Sequence, residues 1–353
     1  EESFRARVLR TFFSGLASLY REVVLLRNAL YLTGKLSRKR LPLPAVSVGN
    51  VTVGGTGKTP FVAYTVRKLG ELGFRPAVLA RGYGPRIQYG GDGAEANDEA
   101  ILLASAANVP VVLSADRMGG AFRAVELGAD VLVLDDAFQH LRVLRDLDVV
   151  LLDATAPFGF GKMLPRGLLR EPLRGLGRAD LIIITRIDLA RGADITLLRS
   201  AAMKAAPGKP VLLAAHRAEV LVDVATGAAC SVRDIEDCPI AAFCGVGNPY
   251  SFGMLLRKLG AEIVLARRFA DHHLYAPGEI ISLAHAAGKA GAEFIVTTRK
   301  DAVKIPRELA AGISLPLMCL DVSLELVEGE DLFVSLLLEA MEKFRASMGM
   351  ENA

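Results

Sequence analysis

Lys58 and Thr59 close the run Val53-Gly54-Gly55-Thr56-Gly57-Lys58-Thr59, and these residue types at this spacing bind phosphate. Glycines let backbone N–H groups turn inward around phosphate oxygens. Lys58 would reach the β- and γ-phosphates, and the Thr59 hydroxyl would hold Mg²⁺. The usual pattern places glycine where this chain has Thr52, which leaves Thr52 to Thr59 as the candidate nucleotide loop. Further on, Val131-Leu132-Val133-Leu134-Asp135-Asp136 is an apolar run ending in two acids. An Asp at the C-terminal end of a strand meets the crevice where open α/β sheets bind ligands. Asp135 is therefore a candidate Mg²⁺ partner, and Asp136 a second partner or a helix cap.

A guanine-reading loop would need Asn-Lys-x-Asp after a later strand. The nearest stretch, Thr185-Arg186-Ile187-Asp188, lacks the Asn and the Lys, which favours ATP over GTP. Other polar clusters stand near strand ends: Asn97-Asp98-Glu99, Asp116-Arg117, Phe138-Gln139-His140, Arg170-Glu171-Pro172, Asp271-His272-His273 and Thr298-Arg299-Lys300-Asp301. Taken singly, each reads as a cap, a turn or a solvated pair. A phosphotransfer enzyme also needs a base near its acceptor hydroxyl, and a His paired with a carboxylate would serve.

The loop needs a strand before it and a helix after it, and the sequence supplies both. Ala45-Val46-Ser47-Val48 precedes it, and a helical stretch begins at Pro60. Apolar runs at 76–80, 109–114, 131–134, 148–152 and 181–185 alternate with helical patterns, as buried parallel strands do. Val211-Leu212-Leu213 and Val220-Leu221-Val222 suggest linker strands, and a second set of runs follows at 240–244, 262–265, 293–297 and 315–320. The expected fold class is α/β: a doubly wound parallel-sheet P-loop domain with an N-terminal amphipathic helix, joined by β-strand linkers to a smaller α/β domain. The expected boundaries are 1–40 for the helical arm, 41–207 for the P-loop domain, 208–236 for the linkers and 237–353 for the smaller domain, with a cleft between the domains.

Within the arm, Leu9, Phe12, Leu16, Leu19, Val23, Leu26 and Leu30 recur at helical spacing. Residues 1–40 carry nine Lys/Arg and three Glu, a net charge of +6, which leaves the rest of the chain at −3. An amphipathic helix with a basic flank suits either an anionic membrane surface or packing on its own domain. The total of +3 over 353 residues is too small to point to nucleic acid. No window of 18 apolar residues is free of charge, so no spanning helix is expected. Cys230, Cys238, Cys244 and Cys319 have no metal-like spacing and read as free thiols in a reducing compartment.

Taken in order, the clusters resemble the tetraacyldisaccharide 4′-kinase family, the lipid A 4′-kinases. The resemblance runs from Ser47-Val48-Gly49-Asn50 through Thr59-Pro60, Arg81-Gly82-Tyr83-Gly84, Asp98-Glu99, Asp116-Arg117 and Asp135-Asp136-Ala137-Phe138-Gln139-His140. It continues through Leu169-Arg170-Glu171-Pro172, Phe243-Cys244-Gly245-Val246-Gly247-Asn248-Pro249, Phe269-Ala270-Asp271-His272 and Lys300-Asp301-Ala302-Val303-Lys304. Thr52 is normal in that family. The resemblance implies an ATP- and Mg²⁺-dependent transfer of the γ-phosphoryl group to the 4′-hydroxyl of an acylated disaccharide 1-phosphate, forming lipid IVA. It implies that Asp98 and His272, one from each expected domain, form a base assembled by cleft closure. It also implies that Arg117, His140, Arg170 and Glu171 line the site on the substrate side. The implied location is the cytoplasmic face of the bacterial inner membrane, on an anionic lipid surface, without an obligate protein partner. The chain departs from the family at Ala100 and Ala137, where Pro and Gly are common. A P-loop switch that hydrolyses nucleotide to control a protein partner is the alternative from another class.

Overall fold

The computed structural model describes residues 4–82, 87–89, 94–96, 98–107 and 109–349. In chain order the first elements are α1 (Phe4–Leu32), β1 (Ala45–Asn50), α2 (Lys58–Glu71), β2 (Pro76–Ala80), β3 (Ile87–Tyr89), β4 (Ala94–Ala96) and α3 (Asp98–Ala107). Then come β5 (Val111–Leu113), α4 (Arg117–Glu126), β6 (Val131–Asp135), β7 (Leu147–Asp153), β8 (Leu181–Thr185), α5 (Gly192–Ala205), β9 (Val211–Asp223) and β10 (Ala229–Cys230). The remainder is β11 (Pro239–Cys244), α6 (Pro249–Lys258), β12 (Glu262–Arg268), α7 (Pro277–Lys289), β13 (Phe294–Thr298), α8 (Arg299–Ala302), α9 (Arg307–Ala311), β14 (Leu317–Leu326) and α10 (Glu330–Ser347).

Two compact units form. The first comprises residues 1–81, 109–215 and 326–353, and the second comprises 82–108 and 216–325. This division differs from the expected one in two places. Residues 82–108 go with the second unit, because α3 packs on α8. The C-terminal helix α10 goes with the first, because the Phe333 ring lies 5.5 Å from Phe61 and 5.9 Å from Tyr64, both on α2. Glu330 adds an ion pair to Lys68. The two expected linker strands are one continuous strand, β9, whose middle reads Ala214-Ala215-His216-Arg217 and so hides its extended character.

In the first unit the strand order is β9-β8-β7-β1-β6-β2-β5, and every pairing among them is parallel. β1, β2, β6, β7 and β8 are buried along their whole length, which accounts for their mainly apolar sequences. β1 lies between β6 and β7, so the chain leaves it toward both sides, and the crevice at its C-terminal end is where such sheets bind ligands. Gly49 is required there, since a Cβ would sit 2.6 Å from the Phe138 Cβ.

α1 packs on this unit by a narrow seam. Ala17, Val24 and Asn28 are buried, and the first two join a core with Met163, Leu169 and Leu176. The stripe Leu9, Phe12, Leu16, Leu19, Val23 and Leu26 faces outward instead, with Leu19 64 % and Phe12 60 % exposed. Of the two sequence readings of the arm, packing of that stripe on its own domain is therefore excluded.

In the second unit β12, β11, β13 and β14 run parallel in that order around a core of Phe243, Ile280, Leu283, Ile295 and Leu317. β10 pairs antiparallel with β9, and β3 with β4.

Phe333 is completely buried. Phe333→Ala should cost about 3–5 kcal/mol of stability, read as a lower urea midpoint for the transition that bound nucleotide protects.

Candidate active site

The loop between β1 and α2 needs glycine at two positions, Gly54 (φ 110°) and Gly57 (φ 86°). Thr52 is an ordinary extended residue, bridged antiparallel to Leu169, while the Val53 N–H donates to the Leu168 carbonyl at 2.7 Å. A β-branched residue suits that place better than glycine, which is the physical reason Thr stands there. Gly57 caps α2 without any side-chain acceptor, so the first turn of a 14-residue helix presents its N–H groups at the loop.

The loop peptides are held by their carbonyls. Arg186 Nη1 donates to the Gly55 carbonyl at 2.6 Å, and Thr185 Oγ1 donates to the Thr56 carbonyl at 2.9 Å. Asn50 Nδ2 donates to Thr56 Oγ1 at 3.0 Å. In a planar trans peptide the carbonyl and the following N–H point in opposite directions. Holding these two carbonyls therefore turns the N–H groups of Thr56 and Gly57 the other way. Arg186 has a left-handed backbone (φ 58°) and is itself paired with Asp153 at the end of β7.

Asp135 ends β6 in register with Val48 of β1 and is buried. The neighbouring Asp136, with φ 50°, turns elsewhere. Arg170 Nη1 lies 2.8 Å from both of its carboxylate oxygens, and Lys58 Nζ lies 3.6 Å from Oδ1. Burial pushes the Asp136 carboxyl up, but Lys58 and Arg170 outweigh it and hold the group below its ordinary range. Asp136, expected beside the metal, thus sits in a cationic clamp.

Two residues expected on the substrate side are buried braces. Arg117 is only 3 % exposed and donates to the carbonyls of Leu79 (2.7 Å) and Asp135 (3.1 Å), tying the ends of β2 and β6 together. Glu171 has no exposed surface; it accepts from Gln139 Nε2 at 2.8 Å and faces Arg178 at 2.7 Å. Arg170 keeps a quarter of its side chain exposed. His140 is half-buried, and burial followed by the charge of Arg117, Arg145, Arg81 and Arg142 pushes its pKa down to about 4.

In the second unit the organising group is Asp301, fully buried on α8. It accepts from Gly245 N (3.0 Å), Tyr275 OH (2.8 Å), Thr298 Oγ1 (2.7 Å) and Lys304 Nζ (2.9 Å). Gly245 must be glycine, because a Cβ would lie 2.9 Å from the Ala270 carbonyl. Asp301 so joins the loop after β11 to the loop after β12, and the latter carries His272 in a left-handed conformation (φ 61°). Lys300 Nζ lies 2.9 Å from Asp271 Oδ1 and 3.4 Å from His272 Nε2. An ammonium only donates, so in this contact Nε2 of His272 is the acceptor. Asp98 opens α3, the helix that packs on α8; its side chain lies outside the described residues. By this division Asp98 and His272 belong to one unit, where the sequence placed one in each.

Sequence reasoning missed Arg186, Thr185 and Asn50. The stretch around Arg186 carries no local signal beyond its departure from a guanine-reading motif. Asn50 and Gln139 were visible only as members of longer motifs.

A family model described as tetraacyldisaccharide-1-P 4′-kinase matches residues 9–342. The tetraacyldisaccharide 4′-kinase of Anaeromyxobacter dehalogenans is 42 % identical over 88 % of this chain and 85 % of its own length. That of Syntrophus aciditrophicus is 40 % identical over 92 % of this chain and 91 % of its own. Among solved structures, LpxK from Aquifex aeolicus in complex with ATP superposes with a TM-score of 0.70 at 28 % identity, covering 94 % of this chain and 99 % of that one.

His140 binds its proton more weakly when folded than when unfolded, since its pKa falls from 6.5 to about 4. The resulting penalty is absent above the unfolded value, grows as pH falls below it and is complete near the folded value. The His140 imidazole should titrate by NMR with a midpoint near 4, and His140→Gln should flatten the loss of stability between pH 6.5 and 4.

Proposed function

Since the chain belongs to the tetraacyldisaccharide-1-P 4′-kinase family, we propose that the loop before α2 holds the phosphate donor of that reaction. The activity is that of a lipid A 4′-kinase, which moves the γ-phosphoryl group of ATP to the 4′-hydroxyl of tetraacyldisaccharide 1-phosphate. The observation that carries the residue assignment is the loop whose Gly55 and Thr56 carbonyls are held by Arg186 and Thr185 at the N-terminus of α2.

On the donor side, the inward N–H groups of Thr56 and Gly57 and the first turn of α2 cradle the phosphates. Lys58 exchanges part of its pairing with Asp136 for the β- and γ-phosphate oxygens. The residues fit Mg²⁺: the Thr59 hydroxyl and the Asp135 carboxylate are hard oxygen donors. Among the described residues no group of three acidic, His or Cys side chains forms a cage. That suits an ion which takes most of its ligands from phosphate and water. When bound, Mg²⁺ would neutralise charge developing between the β- and γ-phosphates. Arg170 remains as the partly exposed cation beside Asp136 that can meet transferring phosphate.

On the acceptor side, Asp98 and His272 take the proton of the 4′-hydroxyl. With Nε2 facing Lys300, the other ring nitrogen of His272 is left to support a carboxylate base. Arg117 and Glu171 act through the backbone and side chains they hold.

The substrate is a lipid, and the outward stripe of α1 suits docking of its carrier. No described helix is long and apolar enough to cross a membrane. Leu9, Phe12, Leu16 and Leu19 enter the acyl boundary, with Arg10 and Arg21 at the phosphates, on the cytoplasmic face of the inner membrane. Arg40, expected in the same basic flank, instead donates to Asp146 Oδ1 (2.8 Å) and Ser347 Oγ (2.6 Å).

With radiolabelled ATP and tetraacyldisaccharide 1-phosphate, label should move to the lipid on chromatography. Asp98→Asn and His272→Asn should each lower kcat about 10²- to 10⁴-fold with KM for ATP little changed; wild-type turnover in both would remove the dyad. Deleting residues 1–30 should abolish pelleting with anionic vesicles, and undiminished pelleting would remove the docking role of α1.

A further inference from the structure

Among the described residues, the most exposed large apolar side chain lies outside α1. Phe160 is 84 % exposed. It sits in the turn Pro157–Gly161, where Phe158, Gly159 and Phe160 all have left-handed backbones (φ 53°, 51° and 65°). A bulky L-residue rarely adopts that conformation, and such outliers persist only where the surroundings over-determine them. Here they do. Leu168 N donates to the Gly159 carbonyl at 3.0 Å, Gly167 N donates to the Met163 carbonyl at 2.9 Å, and Phe158 packs on the core that Ala17 and Val24 of α1 enter. One ring of the turn is thus a root in the core, while the next is held out in solvent.

The same segment is fastened to α1. Arg166 Nη1 donates to Ser14 Oγ at 2.7 Å, and Tyr20 OH donates to the Arg170 carbonyl at 3.0 Å. Residues 157–168 carry Lys162 and Arg166 and no acid, matching the basic character of α1, where Arg7, Arg10 and Arg21 are exposed. A rigidly presented aromatic ring flanked by cations is the chemistry of insertion at the headgroup level of an anionic bilayer.

We propose that Phe160 is a second insertion point for an anionic lipid surface, which together with the outward stripe of α1 fixes the first unit on the bilayer at two places. One amphipathic helix leaves a bound protein free to roll about the helix axis, whereas a second anchor off that axis removes the rotation. The inference rests on the membrane reading of α1 given above, and its test separates the two.

The chain has no tryptophan, so a single one reports without background. Phe160→Trp and, separately, Leu19→Trp are mixed with phosphatidylglycerol-rich vesicles whose acyl chains are brominated. Both tryptophans should be quenched and blue-shifted. Quenching at Leu19→Trp without quenching at Phe160→Trp would overturn the second anchor and leave α1 docking intact. Quenching at neither would overturn both. Asn accepts a left-handed backbone, so Phe160→Asn should keep ATP affinity while its partitioning onto the same vesicles falls about tenfold, as loss of a buried Phe requires. Unchanged partitioning of Phe160→Asn would also overturn the proposal.

Discussion

The orientation of two peptide planes, those that follow Gly55 and Thr56, is the constraint on which the donor site depends. A glycine-rich loop can turn its N–H groups either way, and glycine alone does not choose. The choice is made by donors on β1, at the end of β8 and at the residue that follows β8. Arg186 and Thr185 hold the carbonyls, and Asn50 holds the Thr56 hydroxyl. These donors are in turn fixed by burial and by the Arg186–Asp153 pair. Charge buried at the end of a strand is costly unless paired. Here the pairing also sets the polarity of the loop, which explains why strands of Val, Leu and Ile end in Asp153 and Thr185.

The second unit solves a similar problem with one carboxylate. Asp301 collects four donors from three segments and makes the loops after β11 and β12 a single body. Leaving any of these groups unmatched in the core would cost about 1–3 kcal/mol, so the loops cannot separate without loss. His272 is placed by this network and faces Lys300, the residue before Asp301. The surroundings of His272 are thus set by Lys300 and Asp301 on α8.

The strands were legible because parallel sheets bury both faces, and runs such as Leu181–Thr185 have no other explanation. The nucleotide loop was legible because Lys58-Thr59 after glycines has a specific chemistry. What stayed hidden depends on contacts between residues far apart in sequence. Periodicity marks α10 as a helix, but only the rings of Phe61, Tyr64 and Phe333 say which unit holds it. The pattern of α1 shows an apolar stripe without saying that small residues, Ala17 and Val24, make the packing seam. Arg117 and Glu171 stand in recognisable motifs, yet their type suggested ligand contact while their burial makes them braces. Arg186 carries no local signature, since its role exists only once β8 lies beside the loop.

That seam has a consequence for how the arm and the phosphate site are related within the first unit. Tyr20 of α1 donates to the Arg170 carbonyl, the Arg170 side chain grips Asp136, and Asp136 meets Lys58 at the start of α2. Three contacts therefore run from a helix whose other face is apolar and outward to the lysine at the start of α2. Ala17, Val24 and the partly buried Tyr20 make this packing, and the Leu and Phe side chains of the stripe stay outside. The arrangement keeps the apolar stripe in a fixed attitude to the phosphate site, which a flexible tether could not do, and an enzyme whose acceptor is a lipid and whose donor is a soluble nucleotide needs that fixed attitude.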